Sequence, residues 1–473
     1  MTPVTAFADQ HLALFGLGGS GLATAEALLA GGAQVTAWDD SETSREAART
    51  RGIKVADLRD ADWSGFSALV LAPGVPLTHP EPHWTATLAQ AAGLPVIGDI
   101  ELFCRERAKV APDAPLIAIT GTNGKSTTTA LIAHLCRSAG WDTQMGGNIG
   151  VPVLALDPPA NNRVHVLELS SFQIDLAPSL HASVGILLNL TPDHIDRHGT
   201  MENYAAIKER LVASSDRALV GVDDPHSAAI AARVKASGIT LTTISVAGRP
   251  ADVTLDGTRL MRNHDTLADL AGVATLRGRH NAQNAAVAIV AVQAVASMQP
   301  ASQPIDVPKA LHGFGGLPHR MEQVGQRGHV LFVNDSKATN ADAAEQSLKS
   351  FDPVFWIVGG VAKEGGLAPL APVFGRVAKA YLIGTSSAAF AAELDGHVEV
   401  EDCGTLDVAV AAAARDAARS DAAEPVVLLA PACASYDQFK NFEQRGTRFR
   451  ELVEALPASL AGQAEEKSRD LTR

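Results

Sequence analysis

Apolar residues recur along this chain in two patterns, and their alternation sets the fold. Short continuous runs rich in β-branched residues stand at His11 to Phe15, Gln34 to Trp38, Ala68 to Leu71, Leu94 to Ile97, Leu116 to Ile119, Val164 to Leu169, Val184 to Leu190 and Ala218 to Val222. They return at Val330 to Val333, Val354 to Val358, Ala380 to Ile383 and Val426 to Leu429. Between them apolar residues come back at helical spacing, as in Leu131, Ile132 and Leu135, in Asn281 to Met298 and in Leu406 to Ala418. Buried strands alternating with amphipathic helices predict parallel sheets covered on both faces, hence an α/β protein. Val253 to Met261, broken by Asp256-Gly257, predicts a hairpin. Ala111 to Pro115 reads as a linker and Gly313 to Pro318 as a turn, which divides the chain into three expected domains, 1–111, 112–315 and 316–473. Gln463 to Arg473 is charged and aperiodic, as in a frayed tail.

The strand Leu116 to Ile119 runs into Gly121-Thr122-Asn123-Gly124-Lys125-Ser126-Thr127 and then into a helix. At a helix N-terminus the unpaired N–H groups and the positive dipole end attract an anion; Lys125 can reach the outer phosphates and Ser126 can ligate magnesium. Ile119 stands where the strict phosphate-loop pattern has Gly, so this is a shortened relative. The pattern predicts a nucleoside triphosphate site in a central domain of P-loop ATPase type. In the first domain, Gly16-Leu17-Gly18-Gly19-Ser20-Gly21 follows a strand, and Asp39 and Asp40 close the next one about 20 residues on, matching the Rossmann fingerprint. The first and third domains are expected to be Rossmann-like.

Composition narrows the partners. With 46% hydrophobic residues, 19% charged residues and 40 glycines, the 473-residue chain can build large cores and many tight turns. Its 39 basic against 52 acidic residues, net charge −13, argue against non-specific binding to nucleic acid or anionic membranes. Cys104, Cys136, Cys403 and Cys433 are far apart and form no CxxC pair, as expected of reduced core thiols. No basic-then-apolar leader opens the sequence, and the longest uncharged apolar run, Ala285 to Met298, falls about a turn short of the roughly 18 residues that span a bilayer. A cytoplasmic protein is expected.

Other chemistry gathers where strands end. Leu167-Glu168-Leu169-Ser170-Ser171-Phe172-Gln173 places a carboxylate on an apolar strand, where it needs a counter-charge, and magnesium on the triphosphate is the natural one. The next strand ends in Asn189-Leu190-Thr191-Pro192-Asp193-His194, so Glu168, Asp193 and His194 are expected to share one crest with Lys125 and Ser126. Lys208, four residues after Tyr204, leans toward the apolar side of its helix; from pattern alone it is a lysine that snorkels to the surface. In the third domain, His319-Arg320, the loop Asn334-Asp335-Ser336-Lys337-Ala338-Thr339 and Pro431 to Ser435 are expected to line one cleft.

These motifs in this order, with PACASYDQFKNFEQRG near the C-terminus, resemble the Mur ligases across all three domains, and the diamino-acid motif Asp-Asn-Pro-Arg of one branch is absent. The resemblance implies ATP-dependent amide formation through an acyl phosphate, with UDP-N-acetylmuramoyl-L-alanine and D-glutamate as small-molecule substrates, by a monomer. It implies that Gly121, Thr122, Asn123, Gly124, Lys125, Ser126 and Thr127 cradle ATP, that Asn281 meets adenine, and that His319, Arg320, Asp335 and Lys337 face its ribose and phosphates. Two magnesium ions are implied, one on Ser126 and Glu168, the other on His194 and on Lys208 as a carbamate, which replaces the snorkelling reading of that lysine. Gly18, Ser20, Asp39, Asp40, Asn148 and Ser170 would hold the UDP-sugar; Thr339, Lys363, Ser435 and Phe442 would hold D-glutamate. Val361-Ala362-Lys363 and Asp39-Asp40-Ser41 depart from the best-known members' Asp-Gly before the lysine and Asp-Thr-Arg. Three alternatives remain: a sister ligase, a nicotinamide dehydrogenase that uses only the first glycine loop, and a nucleotide-binding regulator without catalysis.

Overall fold

The computed structural model describes residues 1–298, 305–363 and 365–458; the charged tail expected to fray lies outside them. The chain divides into two compact units, one of Met1–Ala271 with Ala282–Gly313, the other of Gly272–Asn281 with the chain from Phe314 onward.

The first unit holds two sheets. In one, β1 (His11–Phe15), β2 (Gln34–Trp38), β3 (Ala68–Leu71) and β4 (Val96–Ile97) are all parallel in the order β2-β1-β3-β4. The helix Gly19–Ala30 starts hard against the end of β1: a Cβ on Gly21 would collide with the Gly16 carbonyl, and Gly16 itself has φ +99°. Only glycines permit that approach. The other sheet contains β5 (Leu116–Thr120), β6 (Asp142–Gly147), β7 (Arg163–Glu168), β8 (Val184–Leu187), β9 (Arg217–Gly221), β10 (Thr240–Ser245), β11 (Val253–Asp256), β12 (Arg259–Arg262) and β13 (Asp265–Asp269). Its order is β13-β12-β11-β10-β9-β8-β5-β7-β6, with every neighbouring pair parallel except β11 with β12 and β12 with β13, which are antiparallel. The expected hairpin is β11 and β12. Three strands were not visible as apolar runs: β6 carries Gly146-Gly147, β10 is threonine-rich and mostly half-buried, and β13 is largely exposed.

The helix Asp99–Val110 ties the two sheets together, with Ile100, Leu102 and Phe103 fully buried in a core shared by Leu12 and Leu14 of β1, Leu116 of β5 and Leu167 of β7. Its carboxylates Glu101 and Glu106 are buried too. Glu101 accepts from Arg105 Nε at 2.7 Å and Ser179 N at 2.8 Å, and Glu106 from Thr5 Oγ1 at 2.8 Å and Ala6 N at 2.9 Å.

In the second unit β14 (Glu322–Arg327), β15 (Val330–Asn334), β16 (Val354–Gly359), β17 (Val377–Ile383), β18 (Val400–Gly404) and β19 (Val426–Leu429) form one sheet in the order β14-β15-β19-β16-β17-β18. All pairs are parallel except β14 with β15. Two apolar layers cover its faces, one around Trp356 and Leu370, the other around Phe332, Tyr381 and the helix Leu406–Ala417. All four cysteines are buried and free. Among the described residues no helix is long and apolar enough to cross a membrane.

Candidate active site

β5 lies between β7 and β8, and its five residues are all buried, so the loop that follows leaves the sheet from its centre. Gly124 caps the helix Lys125–Ser138 in the left-handed region at φ +83°, and a Cβ there would come within 2.5 Å of Asn284 Oδ1. The loop is braced from the end of β8: Thr122 N donates to Asn189 O at 2.9 Å, Asn123 N to Asn189 Oδ1 at 2.9 Å, and Asn189 Nδ2 back to Asn123 O at 3.1 Å. Thr122 Oγ1 meets Thr191 O at 3.1 Å and the Tyr204 hydroxyl at 3.2 Å. Lys125 Nζ lies over the loop, donating to the carbonyls of Gly121 at 2.9 Å and Thr122 at 2.8 Å. Ser126 is buried in the first helical turn. The arrangement is a rigid cradle of N–H groups at a positive dipole end with a cation across it, suited to a polyphosphate.

Register places Glu168 beside Ile119, at the base of that loop. Its carboxylate is 3% exposed; Asn148 Nδ2 donates to Oε1 at 2.8 Å, while Oε2 is buried with no hydrogen-bond partner. An ionised oxygen left so costs several kcal/mol unless a cation serves it. A hard divalent ion takes oxygen donors, and the Glu168 carboxylate with the Ser126 hydroxyl are donors of that kind. The residues therefore fit a magnesium ion. Among the described residues no cluster of three or more His, Cys, Asp or Glu forms a ready-made metal cage.

Lys208 is not a snorkelling side chain: it is 2% exposed, because the helix Met201–Ala213 packs this face against β8 and β5. Its Nζ donates to Gly121 O at 2.7 Å and Thr120 Oγ1 at 3.1 Å and sits 4.8 Å from the Tyr204 ring centre. Burial first, and the Lys125 charge second, hold its pKa well below the ordinary lysine value. A buried amine pushed toward neutrality is a nucleophile. His194 is more exposed. It has φ +54°, caps the short helix Ile195–His198, and lies 3.5 Å from Asp193 Oδ2 and 5.2 Å from the Phe172 ring. Ser170 caps the helix Ser171–Asp175 in a reciprocal box with Gln173. Asn148, Glu168 and the Lys125 loop are thus brought together, and Lys208 joins them from beneath.

At the glycine loop of β1, Gly18 caps the helix Gly19–Ala30 and Ser20 is half-exposed in its first turn. The two acids after β2 part company. Asp39 accepts from Leu17 N at 2.6 Å and Ser41 N at 2.8 Å, holding the loop, whereas Asp40 is exposed.

The second unit gathers its own group at the C-terminal ends of β15, β16 and β19. Asp335 is buried, which pushes its pKa up to about 6, and it accepts from Met321 N at 3.3 Å and from the Ser347 hydroxyl. His319, at φ +63°, accepts at Nδ1 from Asn334 Nδ2 at 3.0 Å, and burial lowers its pKa. Lys337 Nζ stands 4.1 Å from the Phe442 ring, and Ser336 Oγ donates to Phe442 O at 2.8 Å. Ser435 is buried, Arg320 and Thr339 are half-buried, and Lys363 is exposed. Asn281 donates through Nδ2 to Arg277 O at 2.9 Å. Sequence reasoning missed Asn189, Asn284 and Arg445. Arg445, 1% exposed, donates to Ser336 Oγ at 3.0 Å, Ser336 O at 2.9 Å and Cys433 O at 3.1 Å, and its Nη1 is buried without a partner. The signal was the Arg at the FEQRG end of the PACASYDQFKNFEQRG string, which carried the resemblance without a role being given to that arginine.

The phosphate cradle of the first unit is that of a nucleotide-binding P-loop type site, and the second unit carries a polar strand-end cluster of its own. Comparison with known proteins gives the family. The Mur ligase middle domain matches residues 119–292 and the Mur ligase glutamate ligase domain residues 319–433. The UDP-N-acetylmuramoylalanine--D-glutamate ligase of Rhizobium johnstonii is 59% identical over 96% of this chain and 97% of its own length. That of Nitrobacter hamburgensis is 57% identical over 97% of this chain and 99% of its own. Solved structures with the same fold include the UDP-N-acetylmuramate-alanine ligase of Thermotoga maritima, TM-score 0.56 at 16% identity, covering 94% of this chain and 99% of that one. The MurF ligase of the same organism, in complex with ADP, gives 0.54 at 15% identity, covering 82% of this chain and 90% of that one. The chain belongs to the Mur ligase family.

Proposed function

We propose that this protein joins D-glutamate to UDP-N-acetylmuramoyl-L-alanine with hydrolysis of ATP to ADP and phosphate, a step in peptidoglycan precursor synthesis. The observation that carries this reading is its near full-length kinship with the D-glutamate ligases just described. A carboxylate is a poor electrophile until one oxygen becomes a leaving group. The γ-phosphoryl group therefore passes to the L-alanyl carboxylate, releasing ADP; the D-glutamate amine then attacks the carbonyl carbon of that acyl phosphate, and phosphate departs as the amide forms.

In this reading the N–H groups of Gly121 to Thr127 and the Lys125 ammonium hold the phosphates through transfer. Asn148 fixes Oε1 of Glu168, and Oε2 with the Ser126 hydroxyl would hold a magnesium ion. Bound magnesium would neutralise crowded phosphate oxygens. Lys208 with His194 would hold a second metal ion: the Lys208 Nζ in its neutral form attacks carbon dioxide, loses a proton and becomes a carbamate, so a side chain that offers a metal no negative charge becomes an anion that would attract it. Asn281, His319, Arg320, Asp335 and Lys337 contact the rest of ATP; Thr339, Lys363, Ser435 and Phe442 receive D-glutamate; Gly18, Ser20, Asp39, Asp40, Asn148 and Ser170 serve the UDP-sugar. The three sheets correspond in this reading to domains 1–111, 112–315 and 316–473, acting in the cytoplasm as a monomer.

The test is phosphate release from ATP and magnesium with UDP-N-acetylmuramoyl-L-alanine, comparing D-glutamate with L-glutamate, diaminopimelate and L-lysine. Release with D-glutamate alone is expected. Release with another amino acid would move the specificity to a sister ligase, and release with none would refute the ligase reading.

A further inference from the structure

Ser347 belongs to no motif of the chain, yet it reaches a residue of the second unit's strand-end group. It stands on the buried face of the helix Ala341–Lys349, 1% exposed, and its Oγ donates to Asp335 Oδ2. The other carboxylate oxygen, Oδ1, accepts from Met321 N at 3.3 Å. The main chain of Asp335 is fixed as well: its N–H donates to Leu429 O at 2.8 Å and its carbonyl accepts from Ala338 N at 2.9 Å. Each carboxylate oxygen thus receives one donor within the fold and keeps lone pairs for a ligand. Of the two donors, Met321 N is main chain, and Ser347 Oγ is the one a substitution can remove without touching the loop.

The Ser347 hydroxyl has a second acceptor in reach, the Ala343 carbonyl one turn back at 3.2 Å, the ordinary partner of a buried helical serine. An ionised carboxylate is the stronger acceptor, so the hydroxyl serves Asp335 while that residue is charged and Ala343 O when it is not. Ser347 therefore favours the charged form. Burial opposes it and brings the Asp335 pKa up to about 6, while the Arg320 charge, from the loop before β14, acts with the hydroxyl. Of the other ionisable groups on these elements, Glu345 and Lys349 of the serine's own helix pair with each other at 2.9 Å, and Asp342 stands in its first turn. Glu322 is paired with Arg450, Lys337 lies over the Phe442 ring, and burial pushes the Cys433 thiol up to about 12. His319, whose pKa burial lowers, is the neighbour that also titrates near neutrality.

We propose that Ser347 is a positioning residue for nucleotide binding: it keeps the Asp335 carboxylate charged at neutral pH, the form that accepts hydrogen bonds from the nucleotide. The inference rests on the reading that Asp335 faces ATP and adds what keeps that carboxylate competent. Loss of the hydroxyl removes one hydrogen bond to a charged group, which moves the protonation of Asp335 up by about one pH unit.

The test is calorimetric titration of ADP into the full chain, Ser347→Ala, Asp335→Asn and the double variant at about pH 6, 7 and 8.5, with thermal melts to verify folding. Affinities are taken as ratios to wild type at each pH, so that the titration of ADP and of His319 cancels. With the one-unit shift, Ser347→Ala should bind ADP about fivefold more weakly than wild type at pH 6, about twofold at pH 7, and equally at pH 8.5, where both carboxyls are ionised. The double variant should bind no more weakly than Asp335→Asn, because the serine acts through the aspartate. Ser347→Cys keeps the volume with a weak donor and carries the same expectation if Ser347→Ala fails to fold. A serine variant that loses the same factor at every pH, or loses nothing while Asp335→Asn weakens binding, would overturn the proposal alone. An Asp335→Asn variant that binds ADP as wild type at all three values would overturn the reading that Asp335 faces the nucleotide.

Discussion

Gly124→Ala tests the phosphate cradle where the chain has least freedom. Holding an alanine at φ +83° costs about 1–2 kcal/mol relative to glycine. The new Cβ would approach Asn284 Oδ1 to 2.5 Å, so Asn284 must move and release the hydrogen bond it accepts from Thr128 Oγ1 at 3.0 Å, about 1 kcal/mol more. The total is roughly 2–3 kcal/mol, and it has two places to appear. If the loop keeps its shape, folding stability falls by that amount; if the loop relaxes, ATP must restore the shape on binding and its affinity falls roughly 30- to 150-fold. Urea denaturation with and without a non-hydrolysable ATP analogue, together with direct titration of the analogue, measures both. Gly65→Ala, where no atom lies within 4 Å of the new Cβ, is the stability control and should stay within about 0.5 kcal/mol. The two losses for Gly124→Ala should sum to the predicted total. If stability and affinity both stay at wild-type values, the loop is not the constrained cradle described.

Glu168→Gln keeps an acceptor for Asn148 and removes the charge, so kcat should fall by about two orders of magnitude and the magnesium requirement of phosphate release should rise, read from a metal titration. Lys208→Ala should lose activity and regain part of it with short carboxylic acids that occupy the vacated metal position; no rescue in a folded, ATP-binding variant would count against the carbamate. Burial raises the Asp99 pKa to about 6, so the native carboxyl holds its proton where the unfolded one releases it. The stability this gives is complete below about pH 4 and is lost as pH rises through 6; relative to Asp99→Asn the wild type should lose about 2.5 kcal/mol between pH 4 and 7 in urea denaturation, and parallel curves would refute it. Arg445→Lys cannot reproduce the planar fork across Ser336 and Cys433, so KM for D-glutamate should rise more than KM for ATP in steady-state assays.

The parts of the site that were legible in sequence are those built by adjacent residues. The apolar run of β5 followed by Gly121 to Ser126 predicts strand, loop and helix start from local spacing alone, and Glu168 stands out as a charge inside an apolar strand. Lys208 shows the limit. Its place four residues after Tyr204 puts it on the buried face, but the cost of burying an amine favours the surface until Thr120 Oγ1 and Gly121 O, from a strand far earlier in the chain, are known to receive it. Asn189 and Asn284 were missed for the same reason: Asn189 braces the phosphate loop and Asn284 the first turns of the helix after it, each across a long stretch of sequence, and an asparagine at a strand end or in a helix has many commoner uses. Asp39 and Asp40 look equivalent in sequence, and only the hydrogen bonds of Asp39 to Leu17 and Ser41 separate them. The antiparallel β14 escaped because its polar and glycine residues break the apolar run that marked its parallel neighbours.

The contrast among buried charges gives the strongest argument that the strand-end clusters serve ligands. Glu101 and Glu106 show that this fold satisfies a buried carboxylate fully when its job is to join elements, each oxygen receiving an N–H or hydroxyl. Glu168, equally buried, has one oxygen satisfied and one bare, and Arg445 has two nitrogens satisfied and one bare. Both exceptions stand beside the loops at the C-terminal ends of parallel strands, β7 in one unit and β15 with β19 in the other, where α/β sheets bind their ligands. A defect of folding would have no reason to choose those ends. Removing the bare charge should therefore stabilise the ligand-free protein while weakening ligand binding, and Glu168→Gln is expected to melt higher than wild type in metal-free buffer and to gain less on adding magnesium and ATP. A variant that melts lower than wild type in both conditions would mean that the Glu168 charge is part of the fold rather than of the site.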